Sequence, residues 1–171
     1  MDLNFSDLQN MGSKIIILTG TRGRGKTAAC QKWVQQAGMI GWNVSGLLCP
    51  AVFENGAKTG IIVKNLATGE SRHLAGLVDG TVGEVATDHW NFDPEVLKWG
   101  SQVLGEIREC DLLIVDELGP LEFYRRQGWV EAFDVLGGGV YRLAVVVIRP
   151  ELLDEARIIW PGASVCSLDE L

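Results

Sequence analysis

No two cysteines in this sequence are close enough to form a metal clip. Cys30, Cys49, Cys110 and Cys166 are widely spaced and make no C-x-x-C pair. That spacing argues against a zinc site and against a disulfide framework, leaving buried reduced thiols as the expectation. Long apolar runs are missing too: none approaches the roughly 20 residues of a bilayer crossing, so no membrane partner is expected. The opening stretch MDLNFSDLQNMGSK has no basic leader followed by an apolar core, which makes a cytoplasmic protein the expectation. Positive charge is scarce, with 15 Lys and Arg against 22 Asp and Glu and a formal charge of −7. Binding to phosphate backbones normally requires a basic surface, so nucleic acid is not an expected partner. Only two histidines occur, His73 and His89, and neither has a neighbour that marks it as an acid or base.

The composition that remains is 47% apolar over 171 residues, which suits one globular domain spanning 1–171. Residues 1–13 read as a loosely held extension or a short helix. The organising stretch is Gly20, Thr21, Arg22, Gly23, Arg24, Gly25, Lys26 and Thr27, which fits G-x-x-x-x-G-K-S/T. Its glycines let the backbone reach φ > 0 and bring N–H groups close to a phosphate. The following helix adds unpaired N–H groups and a partial positive charge at its start, where Ala28 lies. Lys26 is placed to reach β- and γ-phosphates, and the Thr27 hydroxyl to ligate Mg²⁺. An apolar strand, Ile15 to Leu18, enters this loop, and a helical stripe of Ala28, Ala29, Cys30, Trp33, Val34 and Ala37 leaves it.

The texture then changes. Val44 to Glu54 is rich in β formers, Asn55-Gly56 is a hairpin signal, Lys58 to Leu66 reads as the returning strand, and Thr68-Gly69 marks a second turn. The region 44–76 therefore reads as an antiparallel insertion beside a parallel core, either protecting a sheet edge or forming one wall of a pocket. Gly76 to Trp90 reads as a mobile loop. Trp90 and Phe92 are either loop anchors or stacking surfaces for a base. Asp93-Pro94 opens a helix expected to reach about Glu109.

The second landmark is the run from Asp111 to Gly119. Leu112, Leu113, Ile114 and Val115 form a buried strand, with Asp116 and Glu117 at its end, where open α/β sheets bind ligands. Asp116 suits a metal ion held directly or through water. Glu117 suits orienting or deprotonating an attacking water. A further buried strand, Arg142 to Ile148, ends at Arg149, which either faces a γ-phosphate or forms a surface ion pair. Arg125 and Arg126 are a thin candidate for a lid. Glu151 to Ile159 reads as a last helix and Ala163 to Leu168 as one more strand.

Three segments together, ILTGTRGRGKT, SGLLCPAVFENGAKTGIIVKNLATGESRHLA and LLIVDELGPLEF, resemble the small P-loop nucleoside-triphosphatases that include the cancer-related nucleoside-triphosphatase of vertebrates. The resemblance implies a three-layer, RecA-like α/β fold with a mostly parallel central sheet. It implies slow Mg²⁺-dependent hydrolysis of several nucleoside triphosphates, with Gly20 to Ala28 and Leu112 to Gly119, including Leu118, as nucleotide-binding segments. Lys26 then binds phosphates, Thr27 and Asp116 serve the metal, and Glu117 is the base. The family often carries small residues or proline where Arg22 and Arg24 stand here, and a Thr and an Arg where Cys49-Pro50 and Ala57-Lys58 stand. Arg22 either acts as an arginine finger in cis or points to solvent. The sequence has neither N-K-x-D nor T-K-x-D to read guanine, and no L-S-G-G-Q segment. Base preference is thus open, a protein partner is unknown, and a nucleotide-dependent switch or a small-molecule kinase stay as alternatives to a hydrolase.

Overall fold

Alternation along three buried strands sets the layers. The computed structural model describes residues 3–77, 85–86 and 90–170. In β1 (Ile15–Thr19), β8 (Cys110–Leu118) and β9 (Tyr141–Ile148), successive side chains point to opposite faces. One set, Ile16, Leu18, Leu112, Ile114, Leu143, Val145 and Val147, packs with α1 (Phe5–Gln9) and α2 (Lys26–Met39) through Phe5, Leu8, Cys30, Trp33 and Ala37. The other set, Ile17, Leu113, Val115, Ala144, Val146 and Ile148, packs against α3 (Pro94–Gly105), α5 (Glu131–Gly138) and α6 (Leu153–Ile159). Both faces are covered, which is why these strands read as continuous apolar runs. The result is a three-layer α/β fold.

The parallel block is completed by β2 (Val44–Leu48) and β10 (Ser164–Ser167), in the order β10, β1, β9, β8, β2. Since β1 lies between two strands from late in the chain, its C-terminal end opens a crevice of the kind that binds ligands in such sheets. The sheet continues through β4 (Ala57–Asn65), β5 (Ser71–Leu77), β7 (Trp90–Phe92) and β6 (Val85–Ala86), all antiparallel, while β3 (Ala51–Glu54) pairs with β4.

The antiparallel extension differs from the sequence reading at one boundary. Val44 to Leu48 belongs to the parallel core, with Val44 opposite Leu112 and Leu47 opposite Val115. The insertion starts only after Cys49-Pro50, because β2 is buried between two layers whereas β3 is half-exposed. The segment before Lys14 forms α1, and Phe5 and Leu8 are fully packed, so it is held by the core. The helix α3 stops at Gly105, four residues short of the expected end, and is capped as the sequence suggests: Asp93 accepts from Glu95 N at 2.9 Å and Val96 N at 3.3 Å. The expected mobile loop, Gly76 to Trp90, lies largely outside the described residues, and His89 with it. No helix among the described residues is long and apolar enough to cross a membrane.

Pro120 to Arg125 forms a short helix, α4. Glu122 explains it. This carboxylate is nearly buried and accepts from Gly119 N at 2.9 Å and Trp129 N at 3.1 Å, pinning both ends of the segment. The run Leu118-Gly119-Pro120-Leu121-Glu122 thus does structural work beside the site.

Candidate active site

The glycine-rich loop sits between β1 and α2, at the C-terminal end of the sheet. Gly20, Gly23 and Gly25 have φ of 145°, 83° and 86°, values an L side chain rarely adopts. Gly25 caps α2, whose first N–H groups have no intrahelical acceptor by geometry and point into the loop. Lys26 Nζ donates to the carbonyls of Gly20 at 2.6 Å and Thr21 at 3.1 Å, so its ammonium folds over the loop's mouth. Ala28 is exposed on the first turn of α2.

Asp116 follows the alternation of Leu112 and Ile114 and therefore faces α2. It is 2% exposed. Its Oδ2 accepts from Cys49 N at 3.0 Å, and the Thr27 hydroxyl also bonds to it. Burial raises its pKa to about 6, against the opposing pull of those two hydrogen bonds. The bond between Thr27 and Asp116 ties the end of β8 to the start of α2. A hydroxyl and a buried carboxylate beside a phosphate loop form an all-oxygen donor set, which fits Mg²⁺. Among the described residues there is no cluster of three or more His, Cys, Asp or Glu that would hold a metal alone. Mg²⁺ usually takes only one or two protein ligands and fills its shell with water and phosphate.

Glu117 is next to it, across a cis peptide. Its Oε1 accepts from Arg149 Nε, and both side chains are partly exposed. Of the two readings of Arg149, the structure builds the ion pair, with Glu117 as its partner. Burial works against the Arg149 charge, but Glu117 outweighs it and holds the guanidinium protonated. Leu112, Leu113, Ile114, Val115 and Leu118 are each 0% exposed. Their side chains anchor the strand in the two cores.

The two loop arginines part ways. Arg24 pairs with Asp169. Arg22 is exposed and lies near Lys58, whose pKa is lowered first by burial and next by Arg22. The sequence reading passed over Lys58 as a site residue. Its ammonium lies 4.8 Å from the centre of the Trp90 ring, with Asp116, Glu117 and Arg149 close enough to act on its charge. The Asn55-Gly56 turn located this hairpin, but no local pattern tells which way Lys58 faces. Trp90 is buried and serves as the seat for Lys58. Arg126 lies over the Phe133 ring, 5.6 Å away, which ties up part of the thin lid candidate. All four cysteines are free, and burial pushes the thiols of Cys30 and Cys49 well up.

The sequence profile of the NTPase family matches residues 15–160. The nucleoside-triphosphatase THEP1 of Methanopyrus kandleri is 30% identical over 107 residues, 63% of this chain and 58% of that protein. The protein of the same name from Methanocaldococcus jannaschii is 30% identical over 114 residues, 66% of this chain and 65% of its own length. The chain thus spans about three fifths of the length of the curated relatives it matches. Among solved structures, a human cancer-related nucleoside triphosphatase superposes with a TM-score of 0.64 over 91% of this chain and 88% of its own, at 18% identity. THEP1 from Aquifex aeolicus gives 0.59 over 90% and 89%, at 19% identity. At that identity the two structures speak to the fold alone.

Proposed function

This chain belongs to the NTPase family, and from that premise we propose that it hydrolyses the terminal phosphoanhydride bond of nucleoside triphosphates, with Mg²⁺ and with little preference among bases. We place it in the cytoplasm. The observation that carries the reading is the contact of Thr27 with Asp116, which brings the phosphate loop and the acidic strand end into one site with Glu117 beside it.

Thr27 and Asp116 would hold Mg²⁺, which when bound supplies positive charge at the β- and γ-phosphate oxygens. The backbone N–H groups of the loop and the Lys26 ammonium bind the same oxygens and absorb charge as the bond breaks. Glu117 accepts a proton from the attacking water, the oxygen bonds to the γ-phosphorus, and the bond to the bridging oxygen breaks to release the diphosphate. Arg149 fixes the Glu117 carboxylate at the mouth of the site. Lys58 and Arg22 add positive charge from the hairpin side. Catalysis of this kind is positional and electrostatic.

Phosphate release from ATP, GTP, CTP and UTP tests this, measured with Mg²⁺ and no acceptor for wild type and Glu117→Gln. Slow release from all four is expected, with the variant about 10²-fold slower and binding nucleotide nearly as well. Tight binding without any release would instead support a switch or a kinase.

A further inference from the structure

The segment that follows β10 reaches back onto the glycine-rich loop. Asp169 Oδ2 accepts from the Thr21 N–H at 2.8 Å, and Oδ1 accepts from the Thr21 hydroxyl at 2.9 Å. The same Oδ1 lies 3.1 Å from Arg24 Nε, while Arg24 Nη2 donates to the Leu168 carbonyl at 3.0 Å. This segment is itself anchored. Leu168 N donates to Thr19 O at 2.9 Å, continuing the pairing of β10 with β1. Gly20 sits so close to Leu168 that an added Cβ would lie 3.3 Å from the Leu168 Cβ.

Two loop residues are therefore bound to a fixed strand end, and Arg24 N donates to Thr21 O at 3.3 Å to close the turn between them. Between the bound residues lie Arg22 and Gly23, and Gly20 and Gly25 flank them. A loop this rich in glycine has much freedom to lose, at about 1–2 kcal/mol for each residue fixed. Whatever the protein has not already ordered must be ordered by the ligand, at the expense of affinity.

We propose that Asp169 is a positioning residue of the phosphate loop, latching Thr21 and Arg24 so that the loop's N–H groups are preset for a nucleotide's phosphates. The proposal rests on reading residues 20–27 as the nucleotide site. It accounts for Arg24, one of the two arginines of the loop, whose guanidinium is held by Asp169 and the Leu168 carbonyl, leaving Arg22 as the loop arginine near Lys58. Because the Arg24–Asp169 pair is partly exposed, at 48% and 34%, its charge attraction alone contributes little. The two hydrogen bonds that Thr21 donates to the Asp169 side chain do most of the holding.

The test uses the full chain, with ADP binding by calorimetry and steady-state ATP hydrolysis for Asp169→Ala, Asp169→Asn, Thr21→Val and Lys26→Ala. Asp169→Ala should weaken ADP binding and raise KM for ATP about tenfold, while kcat stays within about threefold, since the chemistry is at Glu117. Asp169→Asn, which keeps an acceptor for Thr21, should recover most of the affinity. Thr21→Val should lose about threefold, through one bond only. Unchanged affinity in Asp169→Ala would overturn the latch, and tighter binding would mean that the carboxylate competes with phosphate instead. Equal losses in the Ala and Asn variants would also overturn it, because charge rather than hydrogen bonding would then be at work. Should Asp169→Ala fail to fold, the Thr21→Val arm decides by the same readout. Full ADP binding by Lys26→Ala would sink the nucleotide site itself, a result separate from the failure of the latch.

Discussion

Asp116 carries two conflicting demands. To hold a cation it must be ionised, yet its burial favours the protonated acid and raises the pKa to about 6. The folded state thus binds this proton more tightly than the unfolded chain, where a carboxyl titrates near 3.9. Its contribution to stability is complete below about pH 4 and is lost as pH rises through about 6, a change of roughly 2–3 kcal/mol. Asp116→Asn removes the titration. In thermal unfolding without metal or nucleotide, the variant should gain on wild type at pH 8 and lose that advantage at pH 4. A difference that does not vary with pH would refute this account of Asp116. Lys58 is the other residue with an individual prediction. Lys58→Met keeps the aliphatic stem on Trp90 but removes the cation, so kcat should fall about tenfold with a smaller change in affinity, and Lys58→Arg should restore it. Equal kcat for Lys58→Met and wild type would remove Lys58 from the site.

At the level of elements, the site depends on how closely β2 lies against β8. Gly46 has φ of 108°, and a Cβ there would overlap the Ile114 carbonyl. Its own carbonyl accepts from Leu66 N at 3.0 Å, linking the parallel block to the antiparallel extension. Gly46→Ala should therefore destabilise the protein by more than about 3 kcal/mol, read as a fall in the denaturation midpoint. A midpoint shift within error would show that β2 can move away from β8. The same closeness places Cys49 N on Asp116, two residues beyond Leu47. The element that was legible as a hairpin is thus joined to the site through a core strand that the sequence assigned to the insertion. Strand β2 is short and contains a glycine, so its residues carry no feature that separates parallel from antiparallel pairing.

At the scale of the whole molecule, nucleotide binding and folding are linked. A ligand present at about 100 times its Kd adds about 2.7 kcal/mol to the stability of the native state. For a chain of this length that is a rise in Tm of roughly 5–10 °C. ADP or ATP should raise the wild-type Tm by such an amount, and Lys26→Ala should abolish the rise while melting near wild type without nucleotide. A variant that keeps the rise would contradict the role of Lys26. The net charge of −7 works against a polyanionic ligand at long range. The local answer is a cluster of cations around the crevice, Arg22, Lys26, Lys58 and Arg149, drawn from three separate stretches of the chain.

The sequence by itself determined the strand, glycine-rich loop and helix from Ile15 to Met39, the buried strand ending in Asp116 and Glu117, the Asp93 cap and the Asn55-Gly56 hairpin. Each is a local pattern: a residue type at a fixed spacing, with a backbone or burial requirement that only a few residues meet. Tertiary structure alone decided the partners. Arg149 on Glu117, Asp169 on Thr21 and Arg24, and Lys58 over Trp90 are pairs separated by 32 or more residues, except that each member sits at an element end that the sequence could place. A side chain's partner across such a distance depends on strand order and register, which follow from how two cores close on both faces of one sheet. No local pattern encodes that closure.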